Sequence, residues 1–505
     1  MQIGREVLYT SEPVITYDNI IPILQKLFQK HQHNATEITR LVNFEKGEQP
    51  IVRKKKYRPE IDCQCVDNVA NEVTDFKTSF HWGNPITLVQ HGENNDDSEI
   101  TEGISILNSC YEAEGIRKKT QHLARNVEIG CLGYTYVDLN MDEMDIALGG
   151  SYFKIESLEP TNTCVIRSSY YFDKRPMIGV MYAEDDESNK YITAFTKDFR
   201  FELKNWEHTE RSGELNPLGA IPIIEWIRSY DMMGCFERQI TEMNNLNLLV
   251  SDFTNDIEQN TQVVWHTVDV EFPTVVTKNE DGTETEETRK PKSNEWLQTY
   301  STADGKTPKI SPLVVDYDYT GMLNNIISRR SLILQKCNVP MRYESAGGGS
   351  TGVAMDTGSG WSAAEAEAQK QQNIMEACKM EEVRVVLRAI QVSPYVPADS
   401  PLLKLKFTDI QPNIKRSKTY ELSVKTNAIA TLLSHGFDLR DAVTVAPLFE
   451  DNNQVIERSG DGVKKYQESN VFKEEKSSEI NDKPFADYSD EQQNSPLIGG
   501  MSKTE

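Results

Sequence analysis

From residue 234 to 260 the chain has no internal proline or glycine, and Ile240, Met243, Leu246, Leu249, Val250, Phe253 and Ile257 recur on one helical face. A second stripe, Leu323, Ile326, Ile327 and Leu334, predicts a helix from 321 to 337. Between them lie β-type runs at 263–272, 274–277, 295–299 and 313–315, with Lys278-Asn279-Glu280-Asp281-Gly282-Thr283 as a charged, hairpin-like turn. Two uninterrupted helices bracketing a β island leave few options. A helix that leaves a body must return to it, and the simplest geometry is an antiparallel helical stalk with a β tip.

The remaining sequence supplies the body. Residues 17–43 read as helical, through Ile20, Ile23, Leu24 and Leu27 and then Ile38 and Leu41, and end at Gly47. Residues 59–79 repeat at three and four through Val66, Val69, Val73 and Phe76, before a strand at 86–89. Short alternating runs at 131–137, 152–155, 163–166, 177–182, 191–196, 199–203 and 221–227 predict an antiparallel sheet within 126–227. After a Gly/Ser-rich loop, Trp361 and Ser362 open a helix of about 30 residues that Ser393-Pro394 stops. A strand at 402–407 and helices at 417–434 and 438–446 follow, and beyond about 455 the acidic sequence lacks periodicity and is predicted to be disordered. The fold class is α+β.

Charge narrows the function. The 505 residues carry 54 Lys+Arg against 78 Asp+Glu, a formal charge of −24. Such a chain does not wrap nucleic acid through its phosphates, because that affinity comes from Lys and Arg displacing counterions. No window approaches the ~20 apolar residues of a membrane helix, and the first residues have no apolar signal core, so a cytosolic site of synthesis and no membrane partner are expected. The eight cysteines are scattered. Only Cys63 and Cys65 are close, without a second pair or a histidine at zinc spacing, which predicts reduced thiols rather than a metal site.

Candidate chemistry is sparse. The run Gly347-Gly348-Gly349-Ser350-Thr351-Gly352 invites comparison with a phosphate-binding loop, yet Val353 and Ala354 stand where a Lys-Ser/Thr pair is required, and a helix rather than a strand precedes it. His31 and His33 point to different helical faces, and Asp252 and Asp256 share a face as solvated carboxylates. The basic run Arg53-Lys54-Lys55-Lys56-Tyr57-Arg58 suits nucleic acid or an acidic neighbouring subunit equally. No catalytic residue, metal or cofactor is expected.

The order of elements resembles the portal proteins of tailed double-stranded DNA bacteriophages, in their siphophage-type branch. The landmarks are Val42-Asn43-Phe44-Glu45-Lys46-Gly47 with Asn68, Asn71 and Trp82-Gly83-Asn84-Pro85-Ile86; Asn216-Pro217-Leu218-Gly219-Ala220-Ile221-Pro222-Ile223 before the first long helix; Asn255-Asp256 on it; Asn338-Val339-Pro340 closing the return helix; and Ser350-Thr351-Gly352-Val353-Ala354 opening the third. The resemblance implies a wing (1–233), stem helices (234–260 and 318–340), a clip (261–317), a tunnel loop (341–361), a long helix with a wing strand (362–411), a crown (412–455) and a disordered acidic tail (456–505). It implies a homo-oligomeric ring of twelve copies at one capsid vertex of the virion, assembled in the host cytoplasm. Double-stranded DNA passes through it, the terminase large subunit and then a head-completion adaptor dock on it, and the major capsid and scaffolding proteins surround it.

On that reading Ser345, Gly347, Gly348, Gly349, Ser350, Thr351, Gly352, Val353, Met355 and Asp356 form the DNA-facing tunnel loop. Leu246, Leu249, Phe253, Ile326 and Leu334 are expected to pack against neighbouring subunits, and Lys278, Glu280, Asp281, Glu284 and Glu286 to form the clip's docking surface. Acidic channel walls would repel phosphates and favour sliding. Two other readings share the acidity or the glycine loop: a different virion structural or adaptor protein, and a nucleotide-binding enzyme.

Overall fold

The computed structural model describes residues 4–52, 62–91, 98–261, the strands within 264–313, residues 318–340, 360–414 and 416, 422–438 and 442–443. It divides into two units, 1–417 and 418–505. In the first, helices α1 (Ile20–Glu45), α2 (Val69–Trp82), α3 (Ser98–Ala113), α4 (Ile116–Gly130), the short α5 (Glu143–Ala147), α6 (Ile240–Thr261), α7 (Tyr319–Lys336) and α8 (Trp361–Val392) accompany the sheets; in the second, α9 spans Leu422–Ser434. The fold is α+β, as its sequence pattern predicts.

A seven-stranded sheet runs in the order Leu8–Thr10, Thr163–Ser168, Pro176–Glu184, Lys190–Phe195, Phe199–Lys204 and Glu214–Leu215, with Glu207–His208 beside Phe199–Lys204. Its first pair is parallel and the others antiparallel. A three-stranded sheet sets Leu132–Leu139 between Ile223–Ile227 and Phe153–Leu158. The largest core lies where α3, α4 and the second half of α8 cover this smaller sheet, with Leu107, Val127, Phe153, Trp226, Val386 and Ile390 buried. Gly133 permits the approach of α4, since a Cβ there would stand 2.7 Å from Leu123 and Val127.

Several elements depart from the sequence reading. The entry helix α1 is continuous through Glu45, and Gly47 follows it at φ +105°. Helices α3 and α4 occupy a stretch to which no element was assigned, although the spacing of Ile104, Leu107 and Tyr111 makes α3 legible. The expected strand at 402–407 is instead a pair of 3₁₀ turns, Pro401–Lys404 and Phe407–Asp409, and the strand starts at Ile410. The reason is burial. Leu402 and Leu405 both face the core, a spacing of three that a turn can satisfy and a strand cannot.

In the β island, Thr274–Lys278 pairs antiparallel with Glu284–Thr288, with Lys278 opposite Glu284. The glutamate-rich partner strand has little intrinsic β preference and is set by this pairing. Val264–Val268 pairs with Lys309–Leu313, so the last strand ends where it was expected to begin. The expected strand at 295–299, the turn residues Glu280 and Asp281, most of 438–446 and the tail lie outside the described residues.

Candidate functional site at the base of segment 341–359

Helices α6 and α7 start from a shared core. Phe44, Val69, Val73, Phe236, Met243, Leu246, Ile333 and Leu334 cluster where α1, α2, α6 and α7 converge. Leu246 (0% exposed) and Leu334 (6%) are buried in this core within the subunit. Leu249, Phe253 and Ile326 are half-buried, and the Phe253 ring lies 6.1 Å from that of Tyr319 across the two helices. The exposed large apolar residues of α7 are Tyr319, Leu323 (46%), Ile327 (53%) and Leu332, and the sequence stripe does not separate Leu323 and Ile327 from the buried Leu334.

One face of α6 is polar and buried. Asn247, Ser251 and Asn255, four residues apart, grip the backbone of an extended segment at every second residue. Cys63 N–H donates to Asn255 Oδ1 at 2.8 Å, Cys65 N–H to Ser251 Oγ at 3.0 Å and Asp67 N–H to Asn247 Oδ1 at 2.9 Å. The C-x-C motif is thus read through its backbone, with Sγ atoms 3.6 Å apart and none of the eight cysteines in a disulfide. Arg330 of α7 holds the same segment through Asp67, at 3.1 Å, and through Glu72.

Beyond α7, Asn338 adopts φ +53°, and Val339 N–H closes the helix end on the Leu334 carbonyl at 2.9 Å. Segment 341–359 follows, and with it lie all ten tunnel-loop candidates from Ser345 to Asp356, outside the described residues. Its two flanks are close together. A Cβ at Gly360, whose φ is +88°, would stand 3.8 Å from the Pro340 Cα. Trp361 then packs against Phe76 and Phe80 of α2, at centroid distances of 5.9 and 5.7 Å.

A buried charge network pins both flanks. Lys77 of α2 donates to Glu367 of α8 and to the Asn338 carbonyl, at 3.4 Å. The Asn338 side chain donates to the same Glu367 oxygen at 2.9 Å, and the other Glu367 oxygen takes Arg228. Arg228 also reaches Glu128 of α4 at 2.9 Å, while His81, Trp82 and Gln371 converge on the second Glu128 oxygen. Burial by itself would raise the Glu128 and Glu367 carboxyls. For Glu128, Arg228 and His81 outweigh it, and for Glu367, Lys77 and Arg228 do, so both are held below the usual carboxylate range. These residues escaped the sequence reading, since single charges on separate helices form no motif; the polar Asn247, Ser251, Asn255 repeat in an otherwise apolar helix was visible.

Lys278, Glu284 and Glu286 stand on the paired strands of the β island. Among the described residues no group of three or more His, Cys, Asp or Glu is placed to hold a metal ion, and no helix is long and apolar enough to cross a membrane.

Paired helices around a β insertion are followed by a segment whose two flanks are pinned onto a mixed α/β body. The chain belongs to the phage portal protein family of the SPP1 Gp6-like type, whose family model matches residues 24–469. None of the curated proteins matches it. Its function is therefore that of a phage portal, forming the channel for DNA packaging and ejection. The family is structural, belongs to the capsid of the virion and works as an oligomeric ring with packaging partners.

Proposed function

We propose that twelve copies close the ring at one capsid vertex and that residues 345–356 of each copy line the channel around double-stranded DNA. The observation that carries this reading is the pinned base of segment 341–359: its flanks at Pro340 and Gly360 adjoin, and both are fixed to α2. Adjoining flanks on a fixed base suit a segment that meets a moving polymer. The formal −24 per copy suits transit rather than adhesion.

In this reading the clip, 261–317, docks the terminase large subunit during filling and the head-completion adaptor afterwards, with Lys278, Glu280, Asp281, Glu284 and Glu286 on the docking surface. Leu323 and Ile327, together with the half-buried Leu249, Phe253 and Ile326, face neighbouring copies. The wing and the crown, 412–455, meet the major capsid and scaffolding proteins in the host cytoplasm.

Two measurements test it. Negative-stain images of the purified chain should show annuli, and native mass should be near twelve times 57.4 kDa; compact monomers or dimers at every concentration and salt would refute the ring. A photo-crosslinker attached to S350C should capture DNA in filled particles, and its failure to do so would remove the loop from the channel wall.

A further inference from the structure

Lys77 has a fully buried side chain, yet it sits where three parts of the chain meet. Its ammonium joins the Glu367 carboxylate on α8 to the Asn338 carbonyl at the exit of α7, and the Asn338 amide closes the triangle on the same Glu367 oxygen. Every bond in this triangle has a direction, so the triangle fixes the relative position of the two flanks and not merely their proximity. Stability does not demand it. An apolar pair of similar volume packs at least as well as a buried ion pair in many proteins, because the charges lose their hydration.

The pair also has outlets. Through Arg228 and Glu128 it connects to α4 and the last turn of α2, and through Trp361 the start of α8 leans on the rings of Phe76 and Phe80. Phe76, Lys77, Phe80 and His81 occupy neighbouring turns of one helix, so α2 is the common root of the α7 exit and the α8 entry.

We propose that Lys77 and Glu367 are positioning residues that tether the flanks of segment 341–359 to α2, so that load placed on that segment is delivered to the wing instead of separating α7 from α8. This rests on the reading of the segment as channel-facing and names the residues by which that site is held.

The experiment uses assembled rings of the full chain carrying Lys77→Met, with Glu367→Gln as a second, shape-preserving variant should the first not fold. Native mass establishes that the ring persists, hydrogen exchange reads the flanks, and an in vitro packaging reaction reads function. The expected result is unchanged ring mass, exchange about ten- to hundredfold faster at 332–340 and 361–368, the factor for one or two lost charge-assisted hydrogen bonds, and reduced packaging. A Pro340→Cys/Gly360→Cys crosslink in the Lys77→Met background should restore packaging when oxidised relative to the same protein reduced, a comparison that cancels the strain of cysteine at a positive φ.

Unchanged exchange and packaging in both variants would overturn the tether, as would faster exchange that the crosslink does not rescue. The two readings fail separately. If S350C captures no DNA the channel-loop reading falls, whereas if it captures DNA and the tether variants package normally, only the tether falls.

Discussion

Asn255 holds Cys63 by both ends of one peptide unit pair: its Oδ1 accepts from the Cys63 N–H at 2.8 Å and its Nδ2 donates to the Cys63 carbonyl at 3.1 Å, across 192 residues of sequence. This is the pairing one strand offers another, supplied here by a side chain of α6. With Ser251 and Asn247 it satisfies a backbone segment that has no sheet partner.

Asn255→Ala should release the end of this zipper. Two backbone groups lose their partners, at about 1–3 kcal/mol in the buried limit, and Cys63 should be alkylated faster than in the parent chain while Cys235, half-buried and with its thiol pushed up to about 12, should not. Timed alkylation followed by mass mapping checks this. Equal Cys63 rates would mean the segment is held elsewhere.

Leu246 and Ile327 should respond oppositely to truncation. Leu246→Ala empties a fully buried site and should cost about 3–5 kcal/mol in urea unfolding of the isolated subunit. Ile327→Ala, on a side chain 53% exposed, should change subunit stability by less than about 1 kcal/mol yet lower the concentration stability of the ring. Native mass on dilution provides the second reading.

Acid should act in two windows. Burial pulls the His31 imidazole down to about 4 from 6.5, against its bond to the Thr161 carbonyl, so the folded chain binds fewer protons there than the unfolded one. Its contribution is complete above pH 6.5 and is lost as the pH falls toward 4, about 3 kcal/mol in all at about 1.4 kcal/mol per unit. His31→Gln should flatten that slope. Glu128 is depressed in the folded state, so its contribution holds above its unfolded value of 4.5 and fades only as the pH falls below it. Urea titrations at a series of pH values separate the two.

Arg228→Met should be among the most damaging single changes, at about 3–5 kcal/mol, because it takes the arginine from the fully buried Glu128 and one of two cationic partners from Glu367. The stranded Glu128 should then take up a proton at a higher pH than before. Arg228→Met combined with Glu128→Gln should recover part of the loss, and a double-mutant cycle in urea tests it; strictly additive losses would show that the two are uncoupled.

Much of this architecture was legible in the residues themselves. Apolar repeats set α1, α6 and α7, a composition rich in Ala, Glu, Gln and Lys set α8, alternation set most strands of the two body sheets, and Gly47 and Ser393-Pro394 mark helix ends through their own backbone preferences. These are local properties, fixed within a few residues, so a single sequence carries them. Element order carried the family resemblance for the same reason.

What only the tertiary structure decided is which partner each face meets. Periodicity places Leu246 and Ile327 on apolar stripes alike, but the first is sealed in the core that α6 shares with α1, α2 and α7 while the second is left open. Lys77 and Glu367 stand 290 residues apart, and nothing in either neighbourhood announces the other. Leu402 and Leu405 resemble a strand until the core beneath them demands a turn. Local sequence sets the shape of each element, whereas burial and charge pairing depend on surfaces that exist only once the elements have come together.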